Sequence, residues 1–405
     1  MESKERLFTS EGKDELLFPG VPNEVTLYSI FPKLSWRMFH TLSSVTRAWK
    51  HAIQSHQVYE ARVRSQSTET LVLFNSMMLS EDIHPISLYS KRENDFYTLP
   101  PIPDVPSDYP KSCQCISLDG KVYVLGGAVE SQGECRCSRC SESQGSADVY
   151  MLDIAGARKW KRCASMLEPR INFGCGVLDG KIYVFGGSSS HDPAAGSEVY
   201  DPEIDVWFPI KCIPSLRTYH QVAAIGGELF VHGGSTHEMF EIAGNGEEPE
   251  GVEPEVTTGY AVRSGMCLEV YNPVTDEWRQ IEHFKKTEID GVFLFGGKLH
   301  LIDQLGIYVY DMNNNQWTLL QSCSFAAIGL DGILAVSPLA IVSVDDELVV
   351  RIYWFHRGNG SGGSCLVQSK GFGSEGLVVL WDEVDSNFMM ENLSEANCIL
   401  SPVQL

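Results

Sequence analysis

Three stretches of this chain share one pattern of apolar and polar positions. DGKVYVLGG (Asp119–Gly127), DGKIYVFGG (Asp179–Gly187) and GGELFVHGG (Gly226–Gly234) each run from a turn, through a short alternating segment of β-branched and aromatic residues, to a pair of glycines. Alternation with a period of two predicts a strand with unlike faces. A glycine pair straight after it predicts positive φ or the close approach of another segment. A second pattern recurs: Tyr200 and Trp207, Tyr271 and Trp278, Tyr310 and Trp317 are each seven apart. The polar stretch between the two aromatics, with a proline in the first two copies, is turn chemistry, which predicts two adjacent antiparallel strands. Tyr150 and Trp160 are ten apart, which reads as three extra residues in the turn IAGARK. These aromatics are expected to pack between neighbouring repeats, where rings contribute most to a core.

The first 70 residues follow another period. Pro22-Asn23-Glu24 reads as a helix start with an acidic first turn, followed by Val25, Leu27, Ile30 and Phe31 and closed by Pro32. Phe39, Leu42, Val45, Trp49 and Ile53 then recur at threes and fours with Arg47 and Lys50 opposite, predicting one longer amphipathic helix. A module this small cannot bury all of that apolar surface alone, so a partner is implied.

The glycine pairs and spaced Tyr and Trp resemble the kelch repeat. The resemblance implies a mainly β fold, a β-propeller with one four-stranded blade per repeat. At the same spacing two degenerate copies emerge, Tyr89 with Phe96 and Trp381 with Phe388. Blades are therefore expected to end near Phe96, Trp160, Trp207, Trp278, Trp317 and Phe388, which makes six, with five to seven allowed. In the fifth, Gly296-Gly297 stands before the strand, and in the sixth, LDGILAVS keeps only an Asp-Gly turn. The stretch Glu241–Gly265, acidic and rich in Pro and Gly, reads as an irregular surface insertion in the fourth blade.

The N-terminal segment resembles the F-box, through Val21-Pro22-Asn23-Glu24-Val25, Ile30-Phe31-Pro32 and Val45-Thr46-Arg47-Ala48-Trp49. An F-box followed by kelch repeats is similar to the plant F-box/kelch-repeat family. The resemblance implies a substrate receptor of an SCF-type cullin-RING ubiquitin ligase. The F-box would dock on a Skp-family adaptor, and through it on cullin and RING subunits, and the propeller would hold a target protein. Such a subunit is not itself an enzyme, and no cofactor is implied. The adaptor contacts carried over are Pro22, Glu24, Val25, Leu27, Ile30, Leu42, Val45 and Trp49, with Val45 and Trp49 also placed to build the module's own core. The expected organisation is a tail at 1–16, the F-box module at 17–62, the propeller at 69–390 and a tail at 391–405.

Charge narrows the partners. A net charge of −22 repels phosphate backbones and anionic lipid, so neither nucleic acid nor membrane is expected. The start of the chain lacks an apolar signal core, and the longest apolar run, Phe325–Val344, is broken by Asp331, glycines and Pro338. A cytoplasmic or nuclear protein with reduced cysteines is the expectation.

Two sets of residues hold candidate chemistry. Cys135, Cys137 and Cys140 have short thiolate spacing and would bind zinc if Cys113 or Cys115 supplied a fourth ligand; the alternative is a reduced polar loop. The second set lies in the loops leading into each blade's first strand, which gather at one mouth of a propeller: Lys111, Ser112, Arg170, Asn172, Arg217 and Tyr219. Arginine and tyrosine are favoured anchors for a protein partner, whereas Arg170 and Arg217 would equally serve as blade-to-blade hydrogen-bond donors. A kelch-fold metalloprotein or enzyme, and a scaffold whose helices form a structural cap, remain the alternative readings.

Overall fold

The structure is a computed structural model. It describes most of residues 16–404; the longest stretches outside the description are 1–15, 78–85, 130–143, 189–195, 244–255, 283–288, 323–332, 370–380 and 384–396.

Among the described residues, six four-stranded antiparallel sheets follow one another along the chain. Their innermost strands are Asn397–Gln404, Gln114–Leu118, Gly174–Leu178, Gln221–Ile225, Ile289–Phe295 and Ile333–Val344. Each packs against the next, and the last packs back on the first, so the six blades close a ring. Blade 1 is composite. Its three outer strands, Thr70–Met77, Ser87–Ser90 and Asp95–Thr98, come from the start of the propeller, and its innermost strand comes from the end of the chain. Residues 391–405 are therefore not simply a tail: Asn397–Gln404 pairs along the whole of Thr70–Met77. The ILSPV pattern is too short to announce itself as a strand without its partner.

The repeat signatures have separable tasks. Gly126, Gly127, Gly186 and Gly187 all have positive φ. A Cβ on Gly186 would stand 2.7 Å from the Arg217 carbonyl oxygen, and Gly187 N–H donates to that same oxygen at 2.9 Å. The glycine pair is thus a seam on which the next blade's backbone rests. Tyr200 and Trp207, Tyr271 and Trp278, and Tyr310 and Trp317 are cross-strand partners, as expected. Their indoles stitch blades together: Trp207 Nε1 donates to Ala164 O and Trp278 Nε1 to Lys211 O, both at 2.9 Å.

Three expectations are corrected. The residue opposite Trp160 is Leu152, not Tyr150, so the turn is one residue longer than its counterparts and a leucine holds the tyrosine's place. In blade 6 Trp381 lies on the outermost strand, Trp381–Glu383, opposite Ser369, so it is not the inner partner of an aromatic pair; Phe388 lies outside the described residues. The ends of the expected irregular insertion are ordered: Ser235–Ala243 and Val256–Ser264 pair as a ribbon, with Arg217–Thr218 alongside its base.

The helical module is segmented more finely than its periodicity predicts. Helical turns span Asn23–Val25, Thr26–Ile30 and Phe31–Lys33, followed by helices Met38–Leu42, Arg47–Gln54 and His56–Arg64. The single long helix breaks at Ser43–Thr46 because hydroxyls there take over backbone partners. Ser43 Oγ donates to Phe39 O, and Thr46 Oγ1 caps the next helix by accepting from Trp49 N at 3.0 Å. The last helix carries the module to Arg64, past the expected boundary at 62. Leu17, Leu27, Phe31, Phe39, Ile53 and Val58 form its small core.

Candidate protein-binding surfaces

Strand direction decides what each face of the ring can do. Strands alternate within each blade, so the connections from strand 1 to 2 and from 3 to 4 emerge on one face. Those from strand 2 to 3, and from strand 4 to the next blade, emerge on the other. The helical module sits on the first face. Arg37 pairs with Glu93 at 3.3 Å in the turn between strands 3 and 4 of blade 1, and the Tyr59 ring lies against Gly120, in the turn between strands 1 and 2 of blade 2. The loops expected to hold a partner open on the opposite face.

On the module, Pro22, Glu24, Val25 and Val45 are exposed, and Ile30 and Leu42 are half-buried. Val45 keeps 55% of its surface open and Val25 44%. Leu27 is placed differently from the adaptor contact it was expected to be, and Trp49 takes the expected alternative of building the module's own core. Leu27 is buried in the module core. Trp49 packs edge-on to Phe18 at 4.6 Å and Phe31 at 5.4 Å, and its indole donates to Leu17 O at 2.6 Å. Leu27 lies beneath the surface and the half-buried Trp49 packs against the module core. Leu16, Tyr28 and Met38 are large, apolar and exposed on the same module, and periodicity did not single them out.

On the opposite face, Ser112, Asn172 and Tyr219 occupy equivalent corners in three consecutive blades, at φ of 55°, 54° and 57°. Left-handed backbone at non-glycine residues is costly and persists where the surroundings impose it. Here the next corner imposes it: Tyr219 N–H donates to Asn172 O at 2.8 Å. Ser112 and Asn172 are half-buried and Tyr219 is exposed; Lys111 lies outside the described residues.

Arg170 and Arg217 are not available to a partner, since both are fully buried. Arg170 donates to the carbonyls of Gly186 and Gly196 and holds Glu198 at 2.6 Å. Arg217 donates to Gly233 O at 3.0 Å and pairs with Glu269 at 3.2 Å. Both glutamates also accept from the chain leading into the blade, Glu198 from Leu167 N and Glu269 from Ser215 N. Spacing revealed the repeat of these arginines but not their inward direction, because the glutamates that bind them lie about 28 and 52 residues downstream.

His220 and His232 are buried beside Arg217. Burial and that guanidinium push His220 well below its ordinary range and His232 down to about 3. Both imidazoles are neutral, and His220 Nε2 accepts from Gly174 N at 3.1 Å. Cys113 and Cys115 lie in the apolar core shared by blades 1 and 2. Burial drives the Cys115 thiol far up its scale and takes Cys175 to about 12, so both are held in the neutral thiol form. Cys135, Cys137 and Cys140 lie outside the described residues. Among the described residues no cluster of His, Cys, Asp and Glu could hold a metal, and no helix is long and apolar enough to cross a membrane.

The Kelch motif family matches residues 169–212, which span blade 3 and the Arg170 loop. The F-box/kelch-repeat protein SKIP30 of Arabidopsis thaliana is 31% identical over 54% of this chain and 58% of its own length. The F-box protein AFR of Arabidopsis thaliana is 28% identical over 54% of this chain and 56% of its own. The chain thus spans less than two thirds of either relative. The solved structure of YjhT superposes on 70% of this chain and 85% of its own, with 18% identity and a TM-score of 0.46. Among the described residues the fold is a β-propeller of six four-stranded blades; the chain carries a Kelch motif at 169–212 and is similar to F-box/kelch-repeat proteins of Arabidopsis thaliana.

Proposed function

We propose that this protein is the target-recognising, non-catalytic subunit of an SCF-type ubiquitin ligase. In this reading the helical module binds a Skp-family adaptor and the far face of the propeller holds the protein to be modified. The observation that carries the proposal is the division of labour between opposite faces. One end presents exposed apolar side chains on a small module, around Val25, Tyr28 and Val45. The other presents a chain of strained corners ending in the exposed Tyr219. Exposed apolar side chains on so small a module fit a partner that buries them. Ubiquitin transfer itself belongs to other subunits.

Titration of the full chain with a purified Skp-family adaptor tests the first half. Binding at micromolar concentration is expected, and its absence from wild-type protein rejects the reading. For the second half, proteins retained on an adaptor-blind variant should be lost when Tyr219→Ala is added. Unchanged retention would remove Tyr219 from the target surface.

A further inference from the structure

In blades 3 and 4 the residue two positions before the outer tryptophan is an aspartate with positive φ, Asp205 at 56° and Asp276 at 54°. Each accepts the hydroxyl of its blade's tyrosine, Tyr200 at 2.6 Å and Tyr271 at 2.7 Å. Each also accepts a backbone N–H from the strand exit of the preceding blade, Ala164 at 2.8 Å and Lys211 at 2.9 Å. This latch ties blade to blade.

Blade 2 keeps the tryptophan and the left-handed position but exchanges both members of the latch. Arg158, at φ 51°, stands where the aspartate would, and Leu152 where the tyrosine would. The exchanged pair serves the helical module instead. Leu152 joins the same buried cluster as Trp36, a module side chain placed in the propeller core. The Arg158 guanidinium lies over the Trp36 ring, 5.6 Å from its centroid, and donates to the Trp36 carbonyl at 3.2 Å. From the other side Tyr97 of blade 1 meets the Trp36 ring edge-on at 5.1 Å. Trp36 N–H donates to Glu69 at 3.3 Å, and Glu69 in turn pairs with the buried Arg62 at 3.2 Å.

We propose that Trp36, Leu152 and Arg158 form a clamp that fixes the angle between the helical module and the propeller, with Trp36 and Arg158 as positioning residues. A module joined only by a linker moves relative to its neighbour by default. Here a repeat position has lost both partners it uses elsewhere and gained a cation–π contact and a hydrogen bond to the module, while Leu152 lies in the buried cluster that holds Trp36. The consequence for ubiquitin transfer rests on the function proposed above: the span from adaptor to target would be constant, as transfer to a bound protein requires.

The test is a distance distribution measured by pulsed dipolar spectroscopy on the full chain. Spin labels are carried on non-canonical residues at the exposed positions Lys50 and Ile204. A narrow distribution is expected for the wild type and for Trp36→Phe, which keeps a ring in place. Trp36→Ala and Arg158→Ala should broaden it by about twofold or more. A further variant, Leu152→Tyr with Arg158→Asp, restores the latch of the other blades and removes only the grip on the module, so it reports even if Trp36→Ala does not fold. Broadening in that variant is expected; a wild-type width in it, or in a folded Trp36→Ala, overturns the clamp. Adaptor titration of the same proteins separates the two ideas: the clamp variants should bind within about twofold of wild type, because none of the substituted side chains lies on the exposed adaptor patch. Failure of wild type to bind would reject the ligase reading and leave the clamp standing.

Discussion

At the scale of single residues, the buried Arg170–Glu198 and Arg217–Glu269 pairs carry consequences for stability that surface pairs do not. Removing one partner strands the other charge in the interior. Arg170→Ala should therefore cost about 3–5 kcal/mol, measured by denaturant unfolding. Arg162→Ala breaks an exposed contact with Asp148 and should leave the midpoint unchanged. Equal effects would contradict the burial assigned to Arg170. The histidines add a pH dependence. His232 has an ordinary value of 6.5 but is held down to about 3 when folded, so its neutral form stabilises the fold fully above pH 6.5. That contribution is lost as pH falls from 6.5 toward 3, because the unfolded imidazole binds the proton first. His220 shifts the same way. The melting temperature should fall between pH 7 and pH 5, before ordinary carboxylates titrate. A flat profile would show that these imidazoles are open to water when folded. Residue identity was legible here, but direction was not. The spacing marked Arg170 and Arg217 as equivalent, yet only the third strand of each blade, bringing Glu198 and Glu269, turns them inward.

At the scale of elements, the glycine pairs of blades 2 to 4 and the aromatic spacing of blades 1 and 3 to 5 were read correctly because both are local. A strand's period of two and a turn's length are set within a few residues. The seam they build is testable. Gly187 has φ of 90°, and a Cβ there would stand 2.7 Å from the Ile171 carbonyl oxygen. Backbone cannot yield as a side chain tip does, so Gly187→Ala should lower stability by about 2 kcal/mol or more. A wild-type unfolding midpoint would show that the seam has slack. The helices were less legible. Phe39 to Ile53 carries one amphipathic period, but Ser43, Ser44 and Thr46 offer the backbone side-chain partners that end one helix and begin another. In blade 2 the pattern misled by two residues. Tyr150 is the nearest aromatic before Trp160, and only pairing reveals that Leu152 faces it.

At the scale of the whole molecule, the two proposed binding ends can be separated by substitution better than by truncation. Deleting residues 17–62 would also remove Trp36 from the core of blades 1 and 2. Val25→Glu with Val45→Glu touches only exposed positions. The pair should weaken adaptor binding at least about tenfold while the melting temperature stays put. An unaltered affinity would move the docking surface elsewhere on the module. The six-blade count was legible from repeats, whereas closure was not, since it joins segments more than 300 residues apart. That closure has a consequence for the order in which the protein is made. Until residues 397–404 leave the ribosome, Thr70–Met77 has no inner neighbour, and its edge must wait through the synthesis of all the later blades. Blades 2 to 5 can form as they emerge, but the ring can be sealed only once residues 397–404 have been synthesised. A premature stop just before residue 397 would leave a nearly complete propeller with one open strand edge, a template for aggregation.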